Sequence, residues 1–173
     1  MPSVFRLLSA LTLSFYAALP LSAADKVALV IGNEDYENVE SLWNPENDAK
    51  SISSALIEQG FEVKTAVNLT RAETYQTLRQ FRRLADAADI AVVYYAGHGI
   101  EIGGTNYLVP TDAILEDVRD APVQMVQLDD VLSQLSGARG LRMVVLDACR
   151  NNPFTDRLRS LSGNTRSIGN GLR

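Results

Sequence analysis

The hydrophobic positions along the chain alternate between two periods. Lys26 to Gly32 (KVALVIG) is an almost unbroken apolar run, the pattern of a strand covered on both faces. Asn44-Pro45-Glu46 reads as a helix N-cap, a proline at the first helical position and an acidic first turn, and Ala49, Ile52 and Leu56 follow at helical spacing up to Gly60. Phe61 to Val67 is a second, more polar strand. Thr70-Arg71-Ala72-Glu73 is a capping-box signature, opening a helix that turns Leu78, Phe81 and Leu84 inward. Asp89 to Ala96 (DIAVVYYA) predicts a third strand, Leu128 to Leu135 a shorter helix closed by Gly137, and Leu141 to Asp147 (LRMVVLD) a fourth strand.

Strands separated by helices imply right-handed crossovers, and so an α/β fold with a parallel sheet between two helical layers. In such sheets the reactive groups gather beyond the carboxyl ends of the strands. Two strand ends here carry unusual chemistry, YYAGHG after the third and DACRNNPF after the fourth.

Composition changes this picture little: 173 residues, 46% hydrophobic and 21% charged, suit one globular domain. The formal charge of -5 comes with no basic stripe, which argues against a nucleic-acid partner. The first 24 residues stand apart. Arg6, the apolar run LLSALTLSFYAALPL and then Ser22-Ala23-Ala24 predict a secretory signal with a small-x-small cleavage site, hence an exported protein, periplasmic or secreted. An exported chain with one Cys cannot use it for an internal disulfide, so Cys149 is buried, intermolecular or chemically employed.

His98 is the only histidine, set between Gly97 and Gly99, and it follows one strand as Cys149 follows another. Alone, such a histidine reads as a hydrogen-bonded structural residue, and such a cysteine as a small apolar filler. On neighbouring parallel strands the two converge as a base and a nucleophile, since a thiol with pKa near 8.5 needs a nearby imidazole to raise its thiolate fraction. Acyl transfer, in practice peptide hydrolysis, is the reaction class that fits. The pair lacks C-x-x-C or H-x-x-x-H spacing for zinc, and neither G-x-G-x-x-G nor a P-loop follows the first strand.

Tyr94-Tyr95-Ala96-Gly97-His98-Gly99 and Asp147-Ala148-Cys149-Arg150-Asn151-Asn152-Pro153-Phe154, with the opening KVALVIGNEDY and Asn47-Asp48-Ala49, resemble the caspase and metacaspase family, specifically its bacterial members. A His about 50 residues before the Cys is a known signature of caspases. The resemblance implies a three-layer, mostly parallel sheet, a peptide or protein substrate, Cys149 as nucleophile, His98 as base and then acid, and the N–H groups of Gly99 and Cys149 as an oxyanion hole. It also implies a first specificity pocket formed by Asp48, Asp147 and Ala96, whose two carboxylates would select Arg or Lys before the cleaved bond. Helix N-terminal stabilisation is the competing role for Asp48, and turn formation for Asp147. Arg150 is expected to be structural.

Asp129, Asp130 and Asp156 fall where calcium-dependent metacaspases carry ligands, but Thr105, Asn106 and Tyr107 supply no further acid, so a solvated helix face is the expected role of the first two and no cofactor is required. By the same resemblance, residues 25 to 155 form the catalytic part, 156 to 173 a linker-like tail, and a C-terminal, small-subunit-like segment is expected to complete the domain. The alternative to a peptidase is a non-catalytic caspase-like module that acts through protein contacts.

Overall fold

A computed structural model describes residues 25 to 149 together with 153 and 154. The expected secretory signal, Arg150, Asp156 and the tail lie outside the described residues. Lys26–Gly32 forms β1, Pro45–Glu58 α1, Glu62–Val67 β2, Arg71–Ala85 α2, Ile90–Ile102 β3 and Thr105–Leu108 β4. Ala121–Gln124 (α3), Val126–Gln127 (β5), Leu128–Ser133 (α4) and Leu141–Cys149 (β6) complete them.

β2, β1, β3 and β6 lie side by side and parallel, with β1 central and buried, as its apolar run requires. Alternation along the strands splits the core between two faces. Leu29, Ile31, Val93 and Tyr95 pack with Phe81 and Leu78 of α2 and Val131 of α4, whereas Val30, Tyr94 and Ala96 pack against Ala49, Ile52 and Leu56 of α1. The chain therefore has the expected three-layer α/β architecture.

Local signals explain the helix ends. Thr70 accepts from the Glu73 N–H while the Glu73 carboxylate accepts from the Thr70 N–H, which closes the capping box. Gly60, at φ +80°, terminates α1 through Gly60 N–H to Ile57 O and Phe61 N–H to Leu56 O, a Schellman arrangement. Asn44 occupies the N-cap of α1 but its side chain accepts nothing from the first turn. The Glu34 carboxylate, arriving from the loop after β1, takes the Glu46 N–H at 3.1 Å instead. Gly32 is needed where this loop leaves β1, because a Cβ there would collide with the Pro45 carbonyl and lie 2.9 Å from the Ala49 Cβ.

Two strands run further than the hydrophobic pattern predicts. β3 does not stop at Ala96: residues 99 to 102 continue it and pair antiparallel with β4 across Gly103 and Gly104, at φ +61° and +87°. A glycine pair at positive φ is the signature of a tight hairpin. The hairpin covers a second core of Ile100, Tyr107, Val109, Leu115, Met125 and Phe154. β6 extends through Cys149. Among the described residues β6 pairs only with β3, and α1 covers β1, β2 and β3 but not β6, so Leu141, Met143 and Val145 are exposed.

Phe81 is fully buried under the sheet while Thr70 caps an exposed turn. Urea unfolding should find Phe81→Ala less stable by about 3–5 kcal/mol and Thr70→Ala by about 1 kcal/mol. Equal losses would refute a core centred on α2.

Candidate active site

β3 and β6 pair residue for residue from Ile90 opposite Leu141 to His98 opposite Cys149. Neighbouring strands are about 4.8 Å apart. The only histidine and the only cysteine of the sequence are thus adjacent positions at the carboxyl end of the sheet. For Cys149 the described feature is this backbone position.

The His98 side chain is buried, and its Nε2 lies 2.8 Å from the Glu40 carbonyl. A carbonyl only accepts, so Nε2 carries the ring proton and Nδ1 keeps its lone pair. Nδ1 is buried without a hydrogen-bond partner among the described residues. Burial lowers the imidazole pKa below its usual value, and the bond to the Glu40 carbonyl opposes that shift only in part. The ring is therefore held neutral in one tautomer, with its basic nitrogen free to take a proton.

Two tyrosines fix the backbone beneath the ring. Tyr36 Oη accepts the His98 N–H at 2.8 Å, and its ring lies 4.6 Å from the imidazole, tilted by 51°. Tyr95 Oη, fully buried, is 2.8 Å from the His98 carbonyl and 3.0 Å from that of Val109, between which its one proton is shared. Burial raises the Tyr95 pKa far above that of a free phenol, so it stays a donor. Gly97 leaves room for both phenols: a Cβ there would lie 2.6 Å from Tyr95 Oη and 2.7 Å from Tyr36 Oη. The Val109 N–H donates to the His98 carbonyl, so Gly99 forms a non-hydrogen-bonded pair with Leu108. Ladder alternation then turns the Gly99 N–H away from β4.

Beside His98 a cavity of about 270 Å³ is lined by Leu42, Trp43, Asn44, Pro45, Asp48, Ala96, Gly97 and Asp147. It arises because Ala96 and Asp147 are register partners facing the same way, and α1 brings Asp48 to that face. Asp48, Ala96 and Asp147, singled out from the sequence, thus meet in one cavity. Tyr94 Oη donates to Asp147 Oδ2 at 2.8 Å. Its pKa is raised, by burial first, then by the bond to Asp147 and by the charges of Asp147 and Asp48. A larger cavity of about 430 Å³ opens at the opposite ends of the strands, around Lys26, Glu62 and Arg83, away from this chemistry.

Of the calcium candidates, Asp129 and Asp130 share the first turn of α4, and Asp156 lies outside the described residues. Asp130 accepts from Tyr75 Oη at 2.7 Å, and burial together with that carboxylate pushes the Tyr75 pKa up to about 12. Asp129 is the preceding residue on the same helical turn and is exposed. No group of three or more His, Cys, Asp or Glu among the described residues could hold a metal ion.

Sequence reasoning missed Glu40, Tyr36 and Trp43. Glu40 acts through its backbone, which leaves no side-chain signal. Tyr36 and the pair Tyr94-Tyr95 lay inside the motifs that carried the resemblance, yet only the fold shows Tyr36 and Tyr95 gripping the His98 backbone while Tyr94 holds Asp147.

The family model described as caspase domain matches residues 25 to 169. The human mucosa-associated lymphoid tissue lymphoma translocation protein 1 is 34% identical over 136 residues, which cover 78% of this chain and 16% of that protein. A paracaspase from Dictyostelium discoideum is 27% identical over 137 residues, covering 75% of this chain and 32% of its own length. The crystal structure of protein GSU0716 from Geobacter sulfurreducens shares the fold with a TM-score of 0.56 at 22% identity, covering 72% of this chain and 50% of that one. The chain thus spans well under two thirds of the relatives it matches.

Because His98 is the sole histidine of the sequence, its imidazole can be followed by NMR, and in a Cys149→Ala variant it should titrate below the ordinary 6.5. The unfolded chain then binds this proton more readily, so stability is present above pH of about 6.5 and is lost as pH falls through that value toward the lower folded pKa. An imidazole titrating above 6.5 would contradict this burial.

Proposed function

This chain belongs to the caspase-domain family, and on that footing we propose that it is a cysteine endopeptidase working through a Cys149–His98 dyad and cutting after Arg or Lys. The observation that carries this reading is the adjacency of the two positions across the β3–β6 ladder, with the His98 ring oriented by the Glu40 carbonyl and Nδ1 left unpartnered among the described residues.

In the proposed cycle His98 Nδ1 takes the Cys149 thiol proton, and the thiolate attacks the carbonyl carbon of the scissile bond. Charge moves to the carbonyl oxygen, where the N–H groups of Gly99 and Cys149 would receive it, and losing one such donor typically costs about 100- to 1000-fold in rate. The protonated imidazole then gives its proton to the departing amine, leaving an acyl-enzyme. Water, deprotonated by the again neutral His98, hydrolyses the thioester and restores the thiol. The Glu40 carbonyl has a specific part here. It accepts the Nε2–H throughout and steadies the transient imidazolium, as a third group does in other nucleophile–base pairs.

The substrate side chain is assigned from the cavity. Asp48 and Asp147 place two carboxylates on its wall with no cation among its described lining residues. A guanidinium or ammonium would complement them, whereas an Asp side chain would meet like charge in a partly desolvated space. Tyr94 remains protonated and fixes one oxygen of Asp147, which leaves the other for the substrate.

With the full-length gene product, fluorogenic peptides ending in Arg or Lys should be cleaved and those ending in Asp should not. Cys149→Ala and His98→Ala should each lower kcat/KM by at least about a thousandfold, because such a pair acts as a unit. Asp147→Ala should raise KM for Arg peptides roughly tenfold or more, and more than Asp48→Ala does. Activity within tenfold of wild type in either dyad variant would sink the mechanism, and cleavage after Asp would sink the specificity.

A further inference from the structure

The proposed chemistry leaves one feature of the site unused, an indole ring standing in water. Trp43, the single tryptophan of the sequence, is 90% exposed. Scattered exposed apolar residues are ordinary, but the position of this one is not. Trp43 lines the same cavity as Asp48 and Asp147.

Its backbone is anchored on both sides. The Leu42 N–H donates to the Glu34 carbonyl at 3.0 Å, and the Asp48 N–H to the Asn44 carbonyl at 2.9 Å. Pro45 is buried against Gly32, and Glu34 also accepts the Glu46 N–H at 3.1 Å. Residue 43 therefore projects from a tied turn, so placing its ring at the cavity costs little backbone ordering when a ligand arrives.

We propose that Trp43 is a specificity-determining residue whose indole face covers the side chain entering the Asp48–Asp147 cavity and makes the site prefer arginine to lysine. This rests on the reading above, that the cavity receives a basic residue. A guanidinium is planar and weakly hydrated, so it stacks on an aromatic face while its N–H edges remain free for two carboxylates. A lysine ammonium is compact and strongly hydrated, can satisfy the same carboxylates, and gains less from the ring. The carboxylates set the charge that enters, and the indole discriminates between the two cations.

Two measurements on the full-length gene product test this. In a Cys149→Ala variant, which binds without turnover, blocked tripeptide amides ending in Arg, Lys or Asp are titrated while tryptophan emission is recorded, and the same titration with Trp43→Phe added isolates the signal of residue 43. The Arg peptide should produce a saturable emission change absent from the Trp43→Phe variant, the Lys peptide should bind severalfold more weakly, and the Asp peptide should not bind. In the active protein, Trp43→Ala should raise KM for Arg peptides about tenfold, leave kcat within twofold, and bring the Arg-to-Lys ratio of kcat/KM toward one. Trp43→Phe should restore most of that ratio. Arg peptides that bind without changing the emission, or an unchanged KM in Trp43→Ala, would overturn the role of Trp43 while leaving the peptidase reading intact. A wild-type protein that neither binds nor cuts Arg peptides would overturn both.

Discussion

The whole site depends on β3 belonging to two ladders at once. Residues 90 to 98 are held by β1 and β6 in the parallel sheet, and residues 99 to 102 by β4 in an antiparallel hairpin. The change of partner falls at Gly97-His98-Gly99. A strand end would leave His98 on a loose turn, but here its N–H is taken by Tyr36 and its carbonyl by Val109 and Tyr95. A buried backbone with all its groups engaged has one arrangement, and the imidazole inherits that order.

Burial then sets the electrostatics of the two halves of the site. His98 is desolvated, which favours its neutral form. A few residues away the cavity carries two carboxylates, and the phenol of Tyr94, itself kept protonated, gives one of them a fixed hydrogen bond. One end of the sheet thus offers an uncharged proton acceptor beside an acidic recess. The odd-numbered positions of β6 supply Asp147 to the recess and, below it, the exposed Val145 and Met143.

Much of this was legible in the sequence because local signals and chemistry coincided. The KVALVIG run, the Thr70 capping box and the Gly60 terminus predicted elements that formed where expected, and the lone His and Cys at two strand ends pointed to the sheet edge where the two positions pair. The continuation of β3 was harder to read. Gly97 and Gly99 looked like punctuation, and only pairing across Gly103-Gly104 makes GHGIEI a strand. The short β5 and the service of Glu34 to the start of α1 are tertiary facts, since neither follows from a period or a local motif. The meeting of Asp48, Ala96 and Asp147 was anticipated from resemblance, while its cause, the Ala96–Asp147 register beside α1, needed the sheet.

The group that orients the imidazole has a hereditary consequence. Glu40 acts through its carbonyl oxygen, an atom that every amino acid carries, so replacing the exposed Glu40 side chain leaves the interaction chemically intact. What the interaction asks of this loop is its length. The path from Tyr36, which receives the His98 N–H, to Leu42, which is tied to Glu34, has to deliver one peptide unit to one nitrogen. A gained or lost residue would rotate that carbonyl away, while substitutions at its solvent-facing positions would leave it in place. Among descendants of this gene, the loop should drift in spelling and hold its count.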